Sequence, residues 1–432
     1  MKIKAYLCNV RNFVFMGKAR QIFSTIEKTA AKKSGRIIVL TGARQVGKTF
    51  LVRQMLGGYR YISIEDPVLR SSYASLSADQ WHRLYPQAAL DEVQKEPQLI
   101  ESIKSVYDQF DDTKYILLGS SQLLLMDKVK ESLAGRCTIF DMYPLTLPEI
   151  RTEDCHESVA PSLWQQLLDG KAETGDILPS FLMDPFHAEK SRAWEHLLKF
   201  GGYPALTDEE ADDEDRYRWL SNYVRTYLER DVRDLASFRD LEPFIRLQRE
   251  VAVLNGQIYN ASNVSGSIQV SAKTAQRYLN YLEMSYQEII LPAWSRNAEK
   301  RLAKAPKIHF MDFGVQQAVL GKRGGITGYE FESIVISEIY KQAKNIMSDA
   351  VFHHLRTQDG REVDLLVELA DGYYAFEVKM SGNVVESDAR HLRKLEDLLD
   401  KPVKASFVIS NDSVTKTLGN GTVAVNAAMF LG

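Results

Sequence analysis

The sequence predicts a multidomain α/β protein, with a mostly parallel sheet domain first, a helical middle region next and a smaller α/β region last. Three observations predict it. Short apolar runs alternate with longer mixed segments over residues 18–150, helix-length periodicity dominates 151–320, and strand-like alternation returns in 321–432. With 432 residues, 45% of them hydrophobic, the chain has apolar material for two or three cores rather than one.

In the first region the candidate strands are Arg36–Thr41, Tyr61–Ile64, Ala88–Leu90 and Tyr115–Leu118. Each is short and apolar on both faces, as in a parallel sheet covered by helices on both sides. Directly after the first strand, Gly42-Ala43-Arg44-Gln45-Val46-Gly47-Lys48-Thr49 spells GxxxxGK[ST], and a helix-like run follows to Leu56. Gly42 and Gly47 let the backbone bend until successive N–H groups, those of Ala43, Arg44, Gln45 and Val46 among them, point inward. There, with a helix N-terminus, they stabilise phosphate charge. Lys48 reaches the β and γ phosphates and Thr49 offers a hydroxyl to Mg²⁺. The ligand this predicts is ATP with Mg²⁺.

A second acidic element follows at the tip of an apolar strand, Ala88-Ala89-Leu90-Asp91-Glu92. Asp91 is placed to hold Mg²⁺ through water and Glu92 to polarise the attacking water, so the pair predicts hydrolysis as well as binding. Ser120, in Gly119-Ser120-Ser121-Gln122 after the next strand, is read either as a γ-phosphate sensor or as a helix N-cap. Arg136 is read as a nucleotide contact in its own chain, as an arginine finger for a neighbour, or as an ordinary ion-pair partner.

Composition narrows the class. A formal net charge of -3 excludes a globally basic nucleic-acid-coating protein, so any DNA contact is local. Cys8, Cys137 and Cys155 have neither metal-ligand nor disulfide-framework spacing and read as free thiols. No apolar run approaches the roughly 20 residues of a membrane helix. The expectation is a cytoplasmic protein with no membrane partner and an open oligomeric state.

In the middle region the acidic stretch Asp208–Asp215 reads as a solvated loop or helix start, and Gly201–Pro204 as a tight turn. Phe244–Gly256, Ala261–Val264 and Ser271–Met284 read as three helices joined as in helix-turn-helix units. In the third, Ala275, Leu279 and Leu282 make an apolar face and leave Lys273, Gln276, Arg277 and Asn280 for phosphates and base edges of DNA. Arg296, Lys300, Arg301, Lys304 and Lys307 supply a basic wing, or a merely solvated hairpin.

Near the end, Glu362–Val367 and Tyr373–Met380 read as strands joined at Asp371-Gly372, after a helix at Glu330–Lys344. Alternation puts Glu377 and Lys379 on one face. Asp364 and Glu377 are candidate metal ligands, Glu332 on the helix a third, and Lys379 a residue to orient or deprotonate a water attacking a phosphodiester. Glu362 is read either as an alternative contributor to the metal site or as a partner for Lys379, and the bland reading of the whole set is a charged hairpin.

The strings GARQVGKT, ALDEVQ, LLGSS, SLAGR and Tyr143-Pro144-Leu145 before Glu149 resemble prokaryotic AAA-type ATPases that carry a C-terminal domain of unknown function. Gly201-Gly202-Tyr203-Pro204, YLERD at Tyr227–Asp231, Lys304–Lys307 before Asp312, and Glu362-Val363-Asp364 with Glu377-Val378-Lys379 extend the resemblance along nearly the whole chain from Lys18. Leu90 stands where relatives often have isoleucine. The resemblance implies a P-loop NTPase domain of AAA type, a winged-helix middle region and a restriction-endonuclease-like C-terminal domain of the PD-(D/E)xK kind. Two functions fit these expectations: an ATP-hydrolysing enzyme acting on nucleic acid with a metal-dependent nuclease domain, and an ATP-gated interaction protein whose last domain binds without cutting.

Overall fold

The structure is a computed structural model that describes residues 17–119, 129, 131–235, 241–297, 304–357 and 359–432. Its first sheet contains β1 (Ile37–Gly42), β2 (Arg60–Ser63), β3 (Gln87–Asp91), β4 (Lys114–Leu118) and β5 (Cys137–Met142) in the order β2-β3-β4-β1-β5, every neighbouring pair parallel. All four expected strands are present. The fifth, Cys-Thr-Ile-Phe-Asp-Met, is only half buried on one face, and so lacks the continuous apolar run that marks the others. Ile38 and Leu40 face one core with Ile116 and Leu118, while Ile37 and Val39 face a second with Tyr115 and Leu117. Burial on both faces is why these strands are apolar throughout. Because the strands are parallel, Gly42, Asp91 and Met142 end at the same edge.

The middle region contains helices at His187–Phe200, Asp213–Leu235, Glu242–Val253, Ala261–Ile268 and Ala272–Met284. An antiparallel sheet of β6 (Gln257–Ile258), β7 (Glu288–Leu291) and β8 (Lys307–Phe310), ordered β6-β8-β7, lies with the last three. The second of those three runs four residues past the expected end, to Ile268, which is buried on its underside; Asn260 caps its start. Asp213, Glu214 and Asp215 occupy the first turn of their helix, where negative charge meets the positive end of the dipole.

The last region packs the helix Gly328–Asn345 on a sheet of β9 (Val351–Arg356), β10 (Glu362–Glu368), β11 (Tyr373–Lys379), β12 (Val403–Ser410), β13 (Lys416–Thr417) and β14 (Val423–Asn426), ordered β13-β14-β12-β11-β10-β9. The expected β10–β11 hairpin is present, closed by Leu369 N–H donating to Gly372 O at 2.8 Å. That helix also reaches the first domain, where Glu338 Oε2 accepts from the Leu147 N–H at 2.8 Å, and the start of the middle region, where Gln342 O accepts from Gln165 Nε2 at 2.9 Å.

Gly201-Gly202 is a clasp rather than a simple turn. Gly202 N–H donates to Asp312 Oδ2 at 2.7 Å and its carbonyl accepts from Leu145 N–H at 2.6 Å. Gly201 has φ 80°, and a Cβ there would lie 2.3 Å from Asp312 Oδ1. Gly170, at φ 66°, has open space around it. Gly170→Ala is therefore expected to cost about 1 kcal/mol of stability, from backbone strain alone. Gly201→Ala is expected to cost about 3 kcal/mol, because a glycine-only backbone conformation and the clash combine. Urea unfolding of the two variants measures the difference, and equal losses would contradict the clasp.

Candidate functional site

The GxxxxGK[ST] loop joins β1 to the helix Lys48–Met55 at the C-terminal edge of the first sheet. Gly42 has φ 143° and passes so close to the end of β5 that a Cβ would stand 2.2 Å from Met142 O. Gly47 takes φ 97° as the residue that starts the helix. Both need glycine. Lys48 folds back over the loop, its Nζ donating to Gly42 O at 2.7 Å and Ala43 O at 2.6 Å. Thr49 Oγ1 donates to Asp91 Oδ2 at 2.8 Å, across the intervening β4. Tyr61 OH donates to the same oxygen at 2.7 Å; burial, then this bond, pushes its own pKa up, so it remains a donor. Glu92 sits at φ 59° and accepts from Gln94 Nε2 at 2.6 Å.

These residues open onto a cavity of about 370 Å³, lined by Arg44, Gln45, Val46, Gly47, Lys48, Thr49, Asp91 and Glu92. That is within the range of small-molecule sites. Its remaining walls are Gly17, Lys18, Arg20, Phe50, Met142 and Leu145, with Pro204 and Ala205 from the middle region. Sequence reasoning missed Arg20, Pro204 and Ala205. Gly201–Pro204 carried a turn signal and nothing to say that its far end faces another domain's pocket. Glycine loop, lysine, hydroxyl and carboxylate together fit a magnesium-bound polyphosphate, whose oxygens need just these donors.

One expected contact changes. Arg136 precedes β5, whose Cys137 pairs with Ile37 at the opposite edge of the sheet from Gly42, about 16 Å away along the strand. There it ion-pairs with Asp108 at 2.9 Å, which corrects the reading of Arg136 as a contact in its own chain's pocket. Ser120 lies outside the described residues.

In the last region the expected acids do assemble. Asp364 and Glu377 face each other across β10 and β11, Asp364 Oδ2 accepts from Val378 N–H at 2.9 Å, and Lys379 Nζ contacts Glu377 Oε2 at 2.9 Å. Glu332 joins them from the helix, but through a cation the sequence had placed elsewhere. Lys307, expected on a basic wing, is buried, with Nζ 2.6 Å from Glu332 Oε1, 3.2 Å from Glu362 Oε1 and 3.6 Å from Asp364 Oδ1. Glu362 thus pairs with Lys307 and not with Lys379. Burial, then the charge of Asp364, holds the carboxyls of Glu332 and Glu377 well above the usual range. Among the described residues, three potential ligand atoms lie within 4.8 Å of one another only at Asp154, Cys155 and His156. As arranged, Glu332, Asp364 and Glu377 do not fit a metal.

Three family models match successive parts of the chain. Residues 34–151 match the model of an AAA domain. The first domain is an AAA-type P-loop domain. A domain of unknown function, DUF8612, matches residues 191–324, and another, DUF4143, matches 327–430. The uncharacterized proteins Rv2008c of Mycobacterium tuberculosis and Mb2031c of Mycobacterium bovis are each 27% identical over 410 residues, covering 91% of this chain and 81% of theirs. The Walker-type ATPase paby2304 of Pyrococcus abyssi aligns over 70% of this chain and 98% of its own at 15% identity, with a TM-score of 0.45, too distant to place residues. No helix among the described residues is long and apolar enough to cross a membrane.

Behind the AAA domain's phosphate loop, Arg20 makes three contacts: to Val46 O at 2.6 Å, to Tyr143 O at 2.6 Å and to Glu149 Oε1 at 3.3 Å. One planar guanidinium thus fixes the loop, the exit of β5 and a buried carboxylate, which an ammonium cannot do from one point. On the other side of the loop, Tyr286 OH and Thr41 Oγ1 both donate to Asp141 Oδ1, at 2.6 and 2.7 Å. Removing one partner of a buried pair costs about 3–5 kcal/mol. Arg20→Ala is expected to lose stability on that scale and to bind nucleotide at least tenfold more weakly, and Arg20→Lys to recover little of either. Denaturant unfolding and fluorescent-nucleotide titration measure both; full rescue by lysine would rule out the fork geometry.

Proposed function

We propose that this protein binds ATP with Mg²⁺ at the AAA domain's loop and hydrolyses it. The observation that carries this reading is the hydrogen bond from Thr49 to Asp91, because it brings the hydroxyl and the carboxylate suited to one magnesium ion together beside Lys48. The amides of residues 43–48 hold the phosphates, and Lys48 leaves its two carbonyl acceptors to reach the β and γ oxygens. Thr49 directly and Asp91 through water would hold Mg²⁺. When bound, the ion offsets negative charge on the transferring phosphoryl group. Glu92 orients the attacking water once Gln94 yields its carboxylate. Gly17–Lys18 and Pro204–Ala205 close the pocket from two sides, so that ATP contacts both the AAA domain and the middle region.

Lys48→Ala is expected to weaken ATP binding at least tenfold. Glu92→Gln should retain binding and slow phosphate release about 100-fold. Unchanged ATP binding in Lys48→Ala would overturn the reading. An ATP-gated interaction protein would use the same pocket, and Glu92→Gln then tests whether gating needs turnover.

A second reading concerns nucleic acid. Three helices and a small antiparallel sheet are the parts of a winged helix, and Lys273, Arg277 and Asn280 lie exposed on the helix Ala272–Met284. Lys307 is removed from the basic wing by its burial, and Lys300 and Arg301 lie outside the described residues. DNA binding through this face should weaken with salt and lose roughly one unit of log-log salt slope for each of Lys273→Ala and Arg277→Ala. Fluorescence anisotropy with a labelled duplex measures it, and affinity unaffected by both changes removes the face from consideration. No cleavage step is assigned to the C-terminal acids, which do not fit a metal in this arrangement.

A further inference from the structure

The cluster in the last region sets four carboxyl groups, Glu332, Glu362, Asp364 and Glu377, against the ammonium groups of Lys307 and Lys379. The two lysines differ in origin and setting. Lys379 belongs to the same strand as Glu377, and its side chain is 37% exposed. Lys307 comes from the middle region's β8, and its side chain is 2% exposed. Strand β8 is paired on both sides, by β6 and β7, so the backbone that aims Lys307 cannot move by itself.

Its ammonium stands between carboxylates of the helix Gly328–Asn345 and of β10, where a divalent ion bridging Glu332 and Asp364 would have to sit. Mg²⁺ requires oxygens at about 2.0–2.1 Å in near-octahedral array. The contacts of 2.6, 3.2 and 3.6 Å to Lys307 are those of an ammonium. A second cation in that space would meet both its volume and its charge. Burial works against a charged Lys307, yet Glu332, Asp364 and Glu362 together hold it protonated.

We propose that Lys307 is the resident counter-cation of this acid cluster, excluding divalent metal and pinning the middle region to the C-terminal sheet. The test is Mn²⁺ binding to the nucleotide-free full-length chain, read by electron paramagnetic resonance and by thermal melting. Wild type should show no Mn²⁺ site that depends on Asp364. Lys307→Ala should gain one, at least tenfold tighter than any wild-type binding at the cluster, and lose it again in Lys307→Ala/Asp364→Ala. Lys307→Ala should also melt lower and recover with Mn²⁺, since a ligand that binds only the folded state raises its stability. If loss of the charge prevents folding, Lys307→Met with Glu332→Gln removes one charge of each sign and should take Mn²⁺ between Asp364 and Glu377. ATP-analogue binding at the distant AAA pocket reports that each variant is folded. A wild-type Mn²⁺ site abolished by Asp364→Ala overturns the proposal, and so do folded Lys307 variants that gain none. Neither result bears on ATP binding, which Lys48→Ala tests separately.

Discussion

The buried pair of Arg20 and Glu149 is the interaction on which the arrangement of domains depends. Glu149 Oε1 accepts from Arg20 Nε and from Gln21 N–H at 2.8 Å, Oε2 accepts from Thr146 N–H at 2.9 Å, and Asn345 Nδ2 approaches at 3.5 Å. One fully buried carboxylate therefore ties together the segment before the first sheet, the turn after β5 and the end of the helix that carries the last domain. A charge so placed is tolerable only when each oxygen is satisfied. Through Arg20 the same pair holds Val46, so the shape of the phosphate loop and the docking of the C-terminal region share a support.

The domains meet through polar contacts as well as apolar ones. Gly202 O accepts from the Leu145 N–H, Glu338 accepts from Leu147, and Tyr286 donates to Asp141 beside the strand that enters the phosphate loop. Directional bonds of this kind are costly to leave unmade, so they select one relative placement where apolar packing alone would accept several. That placement brings Pro204 and Ala205 to the cavity at the phosphate loop and Lys307 to the C-terminal acids. Both are cases in which the middle region completes a site belonging to another domain.

Alternation along the C-terminal hairpin placed Glu377 and Lys379 on one face, and the cross-strand register brings Asp364 opposite Glu377. The same reasoning assigned Lys307 to a basic wing, because lysines close in sequence to other cations read as solvated. It failed there. A lysine is buried only when carboxylates distant in sequence surround it, and here they come from residues 332, 362 and 364. The reading of Arg136 as a contact in its own chain's pocket failed for a related reason: the sequence does not say which edge of the sheet the residue before a strand occupies until the strand's direction is known.

What the sequence determined by itself is the chemistry held in contiguous residues. The bend, charge and hydroxyl of Gly42–Thr49 and the two-faced apolar strands around it follow from local sterics and from burial, which need no knowledge of the rest of the chain. What only the tertiary structure decided is which distant groups share a space: Arg20 behind the loop, Pro204 at its rim, Lys307 among the C-terminal acids. Those pairings arise from domain packing, where the cost of burying an unpaired charge or amide fixes partners far apart in sequence, and no local pattern records them.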